Sequence, residues 1–386
     1  MGATPSSDDT PLWRVVELDQ FHTPEQTEAS QWRRSLRSAS TWLAGKKDTE
    51  QQVKTESELR ALPEVKLEHL VPPIDWTLAA KALAHAHNDV DEDVPVTFFI
   101  SPPYGGHASV VSHWAKAHQA AVLPTPTLNE LGEGSTEWVE RYASQRTWAV
   151  PALERHFLRH TQGIQGVREF LERALSGRLG RGVIGCNSWT YAYLQQVIGI
   201  DGAPIFTLQS MEGEQLARYF AAIAHHNGER PRVYSTRTGN QVLDGSAPKS
   251  DKKDKNPYQE LQRLAAHCRG HVGIAWHYWR ERLREPKADS DEGLWMVDAH
   301  AEAELSPNTG DIATLVLHAL LIHGGLDDHS LGEVLPFSHH EALNARLALQ
   351  RKGVVASYDG RWQVAPLSHA SVRQLLASRN YLIDPL

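Results

Sequence analysis

Cysteine is nearly absent: Cys186 and Cys268 are the only two in 386 residues, far apart and in unlike surroundings. Neither a disulfide framework nor a CxxC metal site is indicated, and a reducing compartment suits the chain. Long apolar runs are missing too. The longest, Thr314 to Ile322, is interrupted by His318 and falls short of the roughly eighteen residues that a membrane-spanning helix needs. No charged-then-apolar leader opens the sequence, so the expectation is a cytoplasmic protein with no direct membrane insertion. Positive charge is not in surplus either. A total of 39 Lys and Arg against 47 Asp and Glu leaves a net charge of −8, which argues against broad nucleic-acid affinity.

What is present describes a globular protein: 41% hydrophobic residues, 22% charged and twelve tryptophans, at a length suited to two or three domains. Residues 1–69 read as a partly disordered N-terminal extension, with a helical stretch at Gln31 to Leu43 carrying Trp32, Leu36 and Trp42. From residue 70 the pattern tightens. Asp75 caps a helix over Trp76 to His87, and Val96 to Ile100 is a strand leading through a Pro/Gly-rich loop into a second helix. A short apolar run at Ala120 to Leu123 follows, with helices over Thr136 to Tyr142 and Ala152 to Leu175. Then come strands at Val183 to Cys186 and Pro204 to Leu208 and a helix over Glu212 to His225. Strands alternating with helices imply a largely parallel sheet covered on both faces, here over 70–236.

The loop Ser101-Pro102-Pro103-Tyr104-Gly105-Gly106-His107-Ala108 sits between strand and helix, the order of a phosphate-binding loop. Such a loop works because backbone N–H groups and a helix N-terminus face the phosphates, a Lys reaches the β- and γ-phosphates, and a Ser/Thr hydroxyl holds Mg²⁺. The segment resembles the GPPGxGK[ST] loop of AAA-type ATPases through Pro102, Pro103 and Gly106. It departs from that loop at the charge-handling positions, where His107 stands for the lysine and Ala108 for the hydroxyl. At the end of the strand Val183 to Cys186, Asn187 stands where the resemblance implies a magnesium-holding acid. The segment from Tyr258 to Arg284 reads as helix-turn-helix with a break at Arg269-Gly270. It resembles the lid, or "sensor 2", element of AAA and STAND-type ATPases, which implies that Arg269 approaches a γ-phosphate.

The resemblance thus implies a P-loop NTPase-like α/β domain over 70–236 and a helical lid over 258–305; between them 237–257, built around SAPKSDKKDK, reads as a flexible loop from its Gly, Lys, Asp, Ser and Pro content. With both magnesium positions neutral, it implies a non-hydrolysing pseudo-ATPase with no cofactor: ATP or ADP held weakly, and Mg²⁺ not expected. The alternatives are a divergent active ATPase and a DNA-binding regulator.

Residues 306–386 read as three helices followed by a hairpin around Asp359-Gly360, a type I′ signal, with a Ser338/Glu341 capping box opening the third helix. That order is a winged helix. Its outward candidates are His339, His340, Asn344, Arg346, Gln350 and Arg351, with Arg361 on the wing. Arg346, Arg351, Lys352 and Arg361, four full charges, would give a salt slope of at most about −4 if all reached phosphates, shallow for specific DNA binding. The expected partner is therefore another protein, with self-association left open and nucleic acid less favoured. The pairs His156/His160 and His267/His271 have helical spacing but no H-E-x-x-H pattern, so no metal is expected. Ser188 lacks the G-x-S-x-G elbow of a nucleophile.

Overall fold

The computed structural model describes residues 11–24, 54–140, 147–224, 231–244, 258–287, 293–298, 305 and 309–386. Among them the strands, in chain order, are β1 (Val15–Glu17), β2 (Leu59–Ala61), β3 (Val96–Ser101), β4 (Ala121–Val122), β5 (Thr147–Val150) and β6 (Arg181–Asn187). They continue with β7 (Ile205–Leu208), β8 (Val233–Ser235), β9 (Leu283–Pro286), β10 (Leu294–Met296), β11 (Val355–Tyr358) and β12 (Arg361–Val364). The chain divides into two compact, interleaved units, one of 1–14, 22–74 and 209–301, the other of 15–21, 75–208 and 302–386. These cut across the expected boundaries: the C-terminal segment groups with the strand-loop-helix region, and 209–236 with the expected lid.

The larger unit holds a mixed sheet in the order β1-β7-β3-β6-β5-β4. Every pairing from β7 to β4 is parallel, and β1 adds an antiparallel edge to β7. All six residues of β3 are buried, as a central strand covered on both faces requires. The chain leaves β3 for the strands on one side and returns to its other side as β7, so the carboxyl end of β3 is a topological switch point. Two strands were not expected. β1 lies in the stretch read as an extension, and β5 in a gap between expected helices. The expected helix over Ala152 to Leu175 is also broken, into a 3-10 turn at Leu153–Arg155 and a helix at Gln165–Leu175. Between them the Gly163 N–H donates to His160 Nδ1, closing a turn instead of a helical ladder.

In the same unit, helices Asp311–Ile322, Asp328–Val334 and His339–Arg351 precede the β11-β12 hairpin, and helix His369–Ser378 follows it. Asp359 and Gly360 both have positive φ, as a type I′ turn demands. The Ser338/Glu341 capping box is formed in both directions. These elements share a core with Leu131, Leu158 and Trp189 of the sheet region.

The other unit carries a four-stranded sheet in the order β2-β9-β10-β8. The segment expected as a helical lid is therefore part sheet. Helix Val272–Arg282 runs directly into β9, and the fully buried Arg282 donates through Nε to the Val297 carbonyl beside β10. The expected loop from 237 begins in register with β8, where the Val242 N–H donates to the Val233 carbonyl. Its core, 245–257, and the expected Gln31 to Leu43 helix lie outside the described residues. Among the described residues no helix is long and apolar enough to cross a membrane.

Candidate functional site

The loop from Ser101 to Ala108 leaves the end of β3 with Pro102 and Pro103 restricting its first turn, closed by the Gly105 N–H donating to the Pro102 carbonyl at 2.9 Å. Tyr104 and Gly106 then take positive φ, 65° and 77°. Gly106 is required on two counts: it is the left-handed N-cap of helix His107–Ala117, and a Cβ there would lie 2.3 Å from the Trp76 ring. This path brings His107 into the first helical position with its ring turned inward.

Three carboxyl ends of adjacent parallel strands meet at that ring. Ser101, from β3, places Oγ 2.9 Å from His107 Nδ1. Glu154, just past β5, places Oε1 2.7 Å from Nε2, and its Oε2 accepts the backbone N–H of Asn187, at the end of β6, at 3.2 Å. Gly185 in β6 allows this: a Cβ there would lie 2.3 Å from the Pro151 carbonyl, so only glycine lets the chain after β5 cross closely enough to deliver Glu154. The Ser101 hydroxyl donates to the Pro102 carbonyl and accepts the His107 backbone N–H. Burial pushes the Glu154 carboxyl up, but the His107 charge, its hydrogen bond and the Asn187 N–H together outweigh this and hold it below the usual glutamate value. Burial, followed by Glu154, raises the neighbouring Cys186 thiol. Serine, histidine and glutamate lie here in the order of a hydrolase relay. Ser101 is nonetheless only 1% exposed and does not line the cavity, so the trio acts as a clamp on the loop.

Beside the clamp is a cavity of about 210 Å³, lined by the loop, Glu154, Arg155, Asn187 and, from the C-terminal segment, Leu320, Leu321, Gly324, Gln363 and Val364. The C-terminal segment is tied to its rim. Tyr104 donates its hydroxyl to the Val364 carbonyl at 2.5 Å, and Asn187 Nδ2 donates to Leu321 O at 3.1 Å. The Thr190 hydroxyl donates to Ile322 O. Asn187 and Thr190 thereby satisfy carbonyls at the C-terminal end of helix Asp311–Ile322.

Of the residues singled out in the sequence, Pro103, Tyr104, Gly106, His107, Ala108 and Asn187 line this cavity, and Pro102 and Gly105 support it from the loop. Asn187 caps helix Ser188–Val197 through its own side chain instead of facing a metal, its Oδ1 accepting the Trp189 N–H. Arg269 belongs to the other unit, where it takes a positive φ of 54° after helix Gln259–His267 and does not line the cavity. Neither histidine pair shares a helix face. His156 follows a 3-10 turn and His160 sits in the next turn; His267 ends one helix and His271 caps the next.

On the C-terminal face, His339, His340, Asn344, Gln350 and Arg351 are exposed as expected. Two expected outward cations are not. Arg346 is 6% exposed, forked onto Asp328 at 3.0 and 2.9 Å and stacked over Trp362 at 4.1 Å. Arg361 donates to the Gly325 carbonyl and is half-buried.

The sequence reading missed Ser101, Glu154, Arg155 and Gln363. Glu154 was hidden because β5 is only four residues long and its aftermath looked helical; the usable signal was Pro151, directly after the apolar run. No family model matches this sequence, and no curated protein matches it.

Proposed function

We propose that the protein is a P-loop NTPase-like fold of AAA/STAND type with a C-terminal winged helix, that it does not hydrolyse nucleotide, and that it serves as a regulatory or scaffolding component holding a partner protein. The observation that carries this reading is the His107–Glu154 pair. At the position of a phosphate-binding lysine stands a ring already bound to an internal carboxylate. At that lysine position an arriving phosphate meets a ring whose charge is already engaged, and a like charge directly behind it. Ala108 offers no hydroxyl to magnesium, and the Asn187 side chain is committed to a helix cap and to Leu321. The switch-point loop at the end of β3 supports the NTPase-like reading, and three helices followed by a hairpin support the winged helix.

Partner binding is assigned to the exposed face of helix His339–Arg351, where Leu347 lies open between His340 and Arg351. Protein interfaces favour such a face, poor in charge at its centre. With Arg346 and Arg361 engaged internally, Arg351 and Lys352 are the helix's exposed cations, and two phosphate contacts would give a salt slope of only about −2.

Steady-state phosphate release from ATP is expected to match a heat-inactivated control, and Mg²⁺ to leave any ATP or ADP binding unimproved. Hydrolysis above the control that Gly106→Val abolishes would overturn the reading. Leu347→Asp is expected to release a partner captured from the native host while leaving the unfolding midpoint unchanged; capture that survives it moves the partner surface elsewhere.

A further inference from the structure

We propose that the cavity beside the clamp is a binding site for a small organic monocarboxylate. At about 210 Å³ it has room for about seven water-sized groups and lies below the roughly 300–1,000 Å³ of cofactor pockets. Its walls are mostly apolar, from Pro103, Leu320, Leu321 and Val364. Two polar side chains at the wall, Arg155 and Gln363, have no side-chain hydrogen bond or ion pair among the described residues. Arg155 also lies near a second guanidinium: burial, and next the Arg155 charge, lower the pKa of Arg361. Two neighbouring cations, one of them with five unmatched donors, favour an anion.

The class of anion follows from what else is in the cavity. Glu154 already contributes a carboxylate there, so a phosphate dianion would bring two further negative charges, whereas a monoanion brings one and places its hydrocarbon body against the four apolar side chains. A planar carboxylate also matches the fork of Arg155, with the Gln363 amide as a further donor.

The test uses the full chain with butyrate as probe, followed by ligand saturation-transfer NMR and a thermal-shift titration. Saturable binding near about 1 mM is expected for so small a ligand. Butyramide, the neutral analogue, is expected to bind at least about tenfold more weakly, and Arg155→Ala to weaken butyrate to a similar degree. Arg155 is exposed, so that variant keeps its fold. Ala108→Leu, filling the cavity from the first helical turn, is expected to abolish binding with the unfolding midpoint maintained. The proposal is overturned by equal binding of butyrate and butyramide, by undiminished butyrate affinity in either variant, by the absence of saturable binding at about fiftyfold that concentration, or by orthophosphate binding more tightly than butyrate. Nucleotide hydrolysis would overturn the pseudo-ATPase reading and leave this one standing, since it rests on the cavity walls alone.

Discussion

Arg346 and Arg351 lie on one helix, five residues apart, and they illustrate two uses of the same side chain. Arg346 is buried against Trp362 with its fork closed on Asp328; Arg351 is exposed. His107 and His340 make the same contrast with another side chain. The first is locked between Ser101 and Glu154, and the second faces solvent, 3.0 Å from the Asn344 amide of the next turn. The difference teaches that desolvation decides the role. A buried ring or guanidinium that carries charge must find partners within the fold, because leaving that charge unpaired costs several kcal/mol, while an exposed one is satisfied by water and stays available to a ligand.

The largest expected consequence is a steep loss of stability in mild acid, and it extends the comparison to buried histidines without an acid partner. Burial holds His156 near 4 and His323 near 3, far below the 6.5 of a free ring. Between these values the unfolded chain takes up protons that the folded chain refuses, so stability is complete above about pH 6.5 and falls as pH drops toward 4. Two such rings give a slope near about 2.7 kcal/mol per pH unit. Glu154, depressed below its ordinary 4.5, acts in the same direction only at still lower pH, as it is protonated through its folded-state value. Urea midpoints from pH 7 to 4.5 measure this, and a flat profile would break the argument from burial.

Glu154→Ala comes next, expected to cost about 3–5 kcal/mol because His107 is left buried without its carboxylate. His107→Ala strands Glu154 in turn. The double variant should lose clearly less than the sum of the two, by at least about 0.5 kcal/mol, and strict additivity would dissolve the pair. Arg346→Ala should cost about 1–2 kcal/mol, reduced by the partial exposure of Asp328, and Arg346→Lys should recover little, since neither the fork nor the stacking survives. Ser338→Ala removes one side of the capping box, for about 1 kcal/mol. Smallest is Arg351→Ala, within about 0.5 kcal/mol by urea denaturation; a cost equal to that of Arg346 would erase the contrast between them.

How much of this was legible depended on the range over which each residue acts. The Asp359-Gly360 turn, the Ser338/Glu341 box and the β3-loop-helix unit were readable because their determinants lie within a few residues of one another. β5 was not, because four residues carry too little periodicity to distinguish strand from helix, and with it went Glu154. The sheet of β2, β8, β9 and β10 escaped for the same reason: each strand is three or four residues long, and β2 pairs with a strand more than two hundred residues away.

By itself the sequence determined the loop's backbone, through two prolines and two glycines whose conformational limits are local, and the absence of a lysine and a hydroxyl at its end. It also determined the caps and turns of the C-terminal helices. Tertiary structure alone decided that His107 is met by Glu154 from beyond β5, that Arg346 turns in while Arg351 stays out, and that Arg155 lines a cavity with no side-chain partner among the described residues. The physical reason is that a side chain's type is written in the chain, whereas its partners and its exposure to water follow from strand order and packing, which bring together residues that the sequence holds 47 positions apart, as it does His107 and Glu154.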